Sequence, residues 1–456
     1  VLGRHHTKKW LSFRSASTSW AQEEFRTLEL GDERLNARAV LLAQRLGSKP
    51  TESIPNACSG WAETQAAYRF LSNPRTDWQA VLKPHWDCSI ERMRGHAVVL
   101  NIQDTTELDF NGRTSSGLGP LSYEAQRGMY LHPTYAITPE REPLGVMDAW
   151  MWAREPRDGE GRRGGLQESL RWLEGYERVA ERAQELPEVR HVYVADREAD
   201  ILALLVKARD WGHAADYLVR CRHDRALPEG GRLWSRLCQA PVLGQVSFEL
   251  PAGRGRQARR VIQHIRTERI EFDDGARGRL PVTCVLAEEI DAPAGVKPVV
   301  WRLLSNRRAD TLEQAVELID WYRARWEIEL FFLILKEGCR VQALQLGEIE
   351  RIETALALYL VVAWRIHRLM RLGRSLPELP ADLVFETDEW QAAYVLNKKK
   401  PPKTPPSLNA VVRLIAQLGG FLGRKSDGEP GAKTLWLGMR DLAVFVQGLR
   451  FARMAL

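Results

Sequence analysis

The sequence predicts a mixed α/β chain with helical ends, on three observations. Short apolar runs of β-branched type, VVLNI within His96–Phe110 and RHVYVA before Asp196, have the composition of buried strands. From about Tyr217 to Asn306 polar and apolar residues alternate through YLVRCR, GQVSFEL, RVIQHIRTERIEF, LPVTCVLAEEI and VVWRLLSN, with Gly, Pro and Asp turns between them. Both ends instead carry apolar residues at helical spacing.

Taken in order, Trp20 to Asn73 reads as helical, with Arg34, Arg38 and Arg45 interleaved in WAQEEFRTLELGDERLNARAVLLAQRL. SKPTESIPNACSG separates this from a second helix, WAETQAAYRFL, and NPRTDW ends the pattern. The strand HAVVLNIQDTTELDF reaches accessible positions at Asp104, and further strands are expected near Thr134 and from Leu144. A helix is expected over Gly165–Leu186, then a strand ending at Asp196 and another helix. TLEQAVELIDWYRARWEIELFFLILKEG is the clearest helix in the chain. Thr311 and Gln314 fit a capping box and Gly338 fits the stop, so one continuous helix is predicted. Prolines from Leu376 to Asp382 mark a boundary, NKKKPPKTPP is a basic loop, and the rest reads as helices around a glycine-rich turn.

At 456 residues the chain is expected to hold about two to four domains. A hydrophobic share of 44% and a charged share of 27% exclude collagen-like and mostly disordered chains. The apolar run Thr354–Trp364 is shorter than the roughly 20 residues of a membrane span, so a buried helix is expected there. VLGRHHTKKW lacks the apolar segment of a secretory signal. The six cysteines form no C-x-x-C pair, which argues against zinc and disulfide frameworks and for a reducing compartment. The net charge of +6 permits a polyanionic partner without requiring one.

Three acids stand out. Asp104 and Asp196 end apolar strands, and neighbouring strands lie only about 4.8 Å apart. Glu329 lies on the long predicted helix, with Tyr322, Arg325 and Lys336 within an arc of roughly 60° on an ideal helix. Carboxylates suit a hard cation such as Mg²⁺, which keeps waters and substrate phosphates in its shell. Turn or cap roles for the aspartates, and a solvated face with Arg325–Glu329 pairing, account for the same residues singly.

QDTT at Asp104, DREADI from Asp196 and Y-x-x-R-x-x-x-E-x-x-x-x-x-x-K from Tyr322 to Lys336 together resemble DDE transposases of the insertion-sequence-four family, most closely the Tn-five type. The last pattern is similar to that family's YREK signature. LGDERLNAR and AAYRFLSNP resemble its end-recognition domain, and LGGFLGRKSDGEPGAKTLW its dimerisation region. The resemblance implies an RNase H-like catalytic core with a β-rich insertion, flanked by an all-helical N-terminal DNA-binding domain and a helical C-terminal dimerisation domain. The implied boundaries are 1–76, with residues 1–16 (including His5 and His6) as a tail, 77–375 with the insertion at about 217–306, and 376–456.

Carried over by residue, the resemblance implies that Asp104, Asp196 and Glu329 are catalytic and bind two Mg²⁺ per site, with Mn²⁺ able to substitute. Tyr322, Arg325 and Lys336 would contact phosphates, and Trp301 would stack a flipped base. Arg197, Arg220, Arg34, Arg38 and Arg69 would be further DNA contacts. Leu35 stands where the family has another Arg, which bears on the end sequence recognised. The implied partners are double-stranded transposon ends, target DNA and a second copy of the chain, with no membrane or zinc. The implied location is the bacterial cytoplasm, at the nucleoid when bound to DNA. Leu414, Leu418, Phe421, Leu435, Trp436, Val444 and Phe445 are expected to need a second subunit to cover them. The alternatives are an RNase H-fold nuclease without strand transfer and a non-catalytic DNA-binding inhibitor of transposition.

Overall fold

The computed structural model describes residues 19–165, 167–250, 257–275 and 278–455; the expected tail, with His5 and His6, lies outside them. In chain order the elements are α1 (Trp20–Glu24), α2 (Glu33–Ser48), α3 (Ile54–Ala57), α4 (Trp61–Leu71) and α5 (Trp78–Met93). Then come β1 (Val98–Gln103), β2 (Thr106–Asp109), β3 (Gly119–Pro120), β4 (Arg127–Ile137), β5 (Pro143–Trp152), α6 (Leu170–Glu185), β6 (Arg190–Ala195), α7 (Leu202–Asp210) and β7 (Asp216–Arg220). The chain continues through α8 (Leu233–Gln239), β8 (Val242–Leu250), β9 (Arg259–Asp273), β10 (Arg279–Ile290), β11 (Val300–Ser305), α9 (Leu312–Ala324) and α10 (Trp326–Leu333). Four helices follow: α11 (Ile349–Ser375), α12 (Thr387–Leu396), α13 (Leu408–Leu418) and α14 (Ala432–Ala455).

The chain divides into two compact units. One comprises residues 97–104 and 167–326. Its sheet runs β1-β6-β7-β11-β10-β9-β8, with β1, β6 and β7 parallel and the rest antiparallel. The α/β class is therefore observed, with a mixed sheet. β1 and β6 are buried along almost their whole length, as parallel strands covered on both faces must be. Trp172, Tyr176, Tyr193, Tyr217 and Phe272 fill the core of this unit. Gly175 lets α6 pass close to β1, since a Cβ there would lie 2.1 Å from the Gln103 side chain.

The other unit comprises residues 19–96, 105–165 and 327–455. Its axis is α11, which includes the predicted apolar run and is buried on nearly all sides over Thr354–Ile366. A helix apolar all round belongs inside a fold or a bilayer. No helix among the described residues is long and apolar enough to cross a membrane. α5, β5, α2 and α13 pack against α11. At the C-terminal end α13 and α14 touch backbone to backbone, since a Cβ on Gly438 would sit 1.7 Å from the Ile415 carbonyl oxygen.

Two sequence expectations are corrected. The single helix predicted from Thr311 to Gly338 has its capping box, but it breaks at Arg325 and widens into a π turn over Ile334–Gly338. At the break, the Arg325 amide donates to the Tyr322 carbonyl at 3.0 Å instead of reaching one residue further back. The arc drawn on an ideal helix therefore does not carry over. The apolar C-terminal residues also find cover within the chain: Leu414, Leu435 and Trp436 are buried, and Leu418, Phe421 and Phe445 are half-buried. Val444 and Phe451 are left 58% and 74% exposed.

Candidate active site

β1 and β6 are parallel neighbours in register Gln103↔Ala195, so the next residue on each strand, Asp104 and Asp196, ends the same edge of the sheet. Carboxyl ends of parallel strands are where α/β folds bind ligands. Asp196 also caps the short turn Arg197–Ala199, accepting the Glu198 amide at 2.8 Å. Burial first, and then repulsion from Asp196, hold the Glu198 carboxyl above its ordinary value. Arg197 is exposed beside it.

Arg325 reaches this edge from the break after α9. Its guanidinium, buried to 7% exposure, donates to Asp104 Oδ2 at 2.7 Å. It also lies 6.0 Å from the Tyr322 ring centroid and 5.8 Å from that of Trp326. Burial pushes the Tyr322 phenol up. Arg325 and Arg220 oppose that rise and Asp196 adds to it, so these four residues share one electrostatic neighbourhood. Arg220 ends β7, the next parallel strand.

Trp301 lies on β11 opposite Ala287 and is half-buried. One face of its indole stacks on Phe248, with centroids 5.7 Å apart and planes at 12°, and the Arg323 guanidinium lies 4.9 Å from the same phenyl ring.

The remaining expected residues belong to the other unit. Glu329 is half-buried on α10. Lys336 sits in the π turn, where burial lowers its pKa while Glu107 and Glu337 oppose the fall. Arg34, at the start of α2, pairs with Asp32 at 3.1 Å with 93% of its side chain exposed. Arg38 is half-buried and Arg69 is exposed.

Among the described residues no group of three or more His, Cys, Asp or Glu side chains could hold a metal ion. Asp104 and Asp196 alone offer two hard oxygen donors at adjacent strand ends. That set suits a divalent ion of the Mg²⁺ type, which needs only one or two protein carboxylates when phosphates complete its shell.

Three family models match the chain in order: "Transposase DNA-binding" over residues 17–76, "Transposase DDE domain" over 173–365, and "Transposase Tn5 dimerisation domain" over 361–455. The chain thus matches, in order, a transposase DNA-binding domain, a DDE transposase domain and a Tn5 dimerisation domain. Asp196, Trp301, Tyr322, Arg325, Glu329 and Lys336 fall inside the DDE match, and Asp104 precedes it. Arg34, Arg38 and Arg69 fall inside the DNA-binding match. Among solved structures the chain is similar to a piggyBac transposase synaptic complex with hairpin DNA. Identity is 10% and the TM-score 0.36, over 98% of this chain and 80% of that one.

Two features of the chain escaped the sequence reading. Asp200, inside DREADI, is buried and accepts the amides of Arg222 and His223 at 2.7 and 2.9 Å while pairing with Arg225 at 2.5 Å. It thereby shapes the loop after β7; the signal was a second acid inside an already noted motif. Trp61 is 72% exposed at the start of α4, within the DNA-binding match. Its position off the buried stripe Thr64–Ala67–Phe70–Leu71 was readable from helical periodicity.

Proposed function

We propose that the chain is a cut-and-paste DNA transposase of the insertion-sequence-four family that acts as a homodimer on two transposon ends in the bacterial cytoplasm. The observation that carries this reading is the Asp104–Asp196 pair at adjacent parallel strand ends, ringed by Arg325, Tyr322 and Arg220, in a chain with three transposase domain matches. Asp104 and Asp196 would hold Mg²⁺, or Mn²⁺ in its place. Glu329 is the third acid of the reading, on the strength of the resemblance and the DDE match. When bound, two such ions would supply Lewis-acid stabilisation of the attacking and leaving oxygens.

The chain's own residues hold the DNA. Arg34, Arg38 and Arg69 grip the ends, while Arg197, Arg220, Arg325, Tyr322 and Lys336 contact phosphates near the cut. In the proposed sequence, water first cleaves one phosphodiester and frees a 3′-hydroxyl. That hydroxyl displaces the 5′ neighbour on the opposite strand and closes a hairpin, with Trp301 stacking a base that leaves the duplex. A second water opens the hairpin, and the regenerated 3′-hydroxyl attacks target DNA.

Incubating the protein with Mg²⁺ and DNA carrying candidate ends tests the reading. Hairpins and joined products support it. Cuts without joining identify a nuclease, and a mobility shift without cuts identifies a binder.

A further inference from the structure

β6 and β7 run parallel in register Ala195↔Val219, so the next residues, Asp196 and Arg220, stand side by side where the two strands end. The segments that leave these ends are tied together by one buried carboxylate. Asp200, just past Asp196, is 3% exposed. Its Oδ2 accepts the amides of Arg222 and His223 at 2.7 and 2.9 Å. Its Oδ1 pairs with Arg225 Nη2, which also donates to the Asp200 carbonyl at 3.1 Å. A carboxylate out of water is costly unless such bonds are made, and charge-assisted bonds are the strong ones.

The loop after β7 is held from other sides as well. The Cys221 amide donates to the Arg302 carbonyl at 2.7 Å, which keeps the chain against β11 for one residue beyond Arg220. Asp224 Oδ1 accepts the Trp234 amide, and the Leu233 amide donates to the Arg225 carbonyl, both at 2.9 Å, so the loop is anchored to the start of α8. On this fixed backbone the Arg222 side chain is exposed, and its guanidinium has no hydrogen bond or ion pair among the described residues. Its charge is felt beside Asp196: burial and Asp196 raise the Glu198 carboxyl, and Arg222 opposes the rise.

We propose that Asp200 is a positioning residue that fixes the backbone of Arg222 beside the strand ends of Asp196 and Arg220, and that Arg222 contacts a DNA phosphate there. The inference rests on DNA being the substrate, as proposed above. The sign of one effect separates it from plain electrostatics. Removing an acid from a protein that binds a polyanion ordinarily strengthens binding. Removing Asp200 should weaken it, because the cation that the acid holds in place is lost from the interface.

The test is fluorescence anisotropy of a labelled duplex carrying a candidate end, titrated with the full-length protein at several salt concentrations, with thermal unfolding measured alongside. Each phosphate neutralised on duplex DNA adds about 0.9 to the slope of log affinity against log salt. Arg222→Ala should therefore lower the slope by about one and weaken binding about tenfold. Arg222→Lys, which keeps the charge, should retain the slope. Asp200→Ala should lower slope and affinity nearly as much as Arg222→Ala, and Asp200→Asn, which keeps an acceptor for the two amides, should recover most of the loss. Adding Asp200→Ala to Arg222→Ala should cost little more, since both remove the same contact. If Asp200→Ala does not fold, Arg225→Gln takes its place, and its effect should likewise shrink when Arg222→Ala is already present. An unchanged slope in Arg222→Ala, tighter binding by folded Asp200→Ala, or losses that simply add would overturn the proposal. A protein that shows the expected slopes but neither cuts nor joins end DNA would overturn the transposase reading and leave this contact standing.

Discussion

Glu353 lies on α11 near its start, half-buried and one turn from Glu350. Burial first, and repulsion from Glu350 second, raise its carboxyl from the ordinary 4.5 to about 7. A folded-state value above the unfolded one means that the folded protein binds the proton more tightly. The resulting stabilisation is complete below about pH 4.5 and is lost as pH rises through about 7. The full gap corresponds to at most about 3 kcal/mol. Because the carboxyl is only half-buried, solvent screening reduces this to about 1–2 kcal/mol. Glu353→Gln removes the ionisable proton and keeps the shape. At pH 8 it should raise the unfolding temperature by a few degrees, at roughly 2–4 °C per kcal/mol for a large domain. At pH 5, where the native carboxyl is mostly protonated, the gain should be small. Thermal unfolding of both proteins at the two pH values measures the difference, and general effects of the substitution cancel between them. An equal shift at pH 5 and pH 8 would refute the assignment of a raised carboxyl at this position.

Three further outcomes follow from the site. Asp104→Ala, Asp196→Ala and Glu329→Ala should each abolish cleavage of end DNA while gel-shift affinity changes little, because binding is spread over many basic contacts; near-normal cleavage by one variant would remove that residue from the site. Trp301→Ala should slow hairpin formation and opening more than first nicking in a time course on labelled ends, since base–aromatic stacking is worth about 1–3 kcal/mol; equal loss at every step would mark the Trp301–Phe248 stack as structural. Val444→Asp combined with Phe451→Asp should weaken pairing of two DNA ends in light scattering without lowering the unfolding temperature, because both side chains are exposed on α14; unchanged pairing would place the dimer contact elsewhere.

The parts of the fold that the sequence disclosed are those fixed by local pattern. The apolar runs of β1 and β6 mark buried strands, and the first acid after each marks where the strand leaves the core. The capping box at Thr311 was equally local and is present. The break at Arg325 was not legible, because nothing in WYRARWEIE disfavours a helix. There the guanidinium pairs with Asp104, 221 residues earlier in the chain. The C-terminal apolar residues misled for a related reason. Their number showed that a partner surface was needed, but not that α11, α13 and α14 supply most of it within the same chain.

The buried contacts of Glu327 show the same limit: its Oε2 lies 2.9 Å from His367 Nε2 and accepts from Arg371 Nε at 2.7 Å, and His367 Nδ1 lies 2.9 Å from the Tyr135 hydroxyl. In the sequence Glu327 is one more charge on the long helix, and His367 stands among Arg365, Arg368 and Arg371 with nothing to mark it out. Only the fold brings Tyr135 to His367 across 232 residues. A buried carboxylate among apolar neighbours is costly unless its hydrogen bonds are met. Here Arg371 and His367 meet them and outweigh the effect of burial, so the Glu327 carboxyl is held below its ordinary value. Burial in turn lowers the His367 pKa and favours the neutral ring that the two hydrogen bonds require. Each partner's protonation state is the one that the other needs. Removing any one of them therefore leaves a buried polar group unsatisfied.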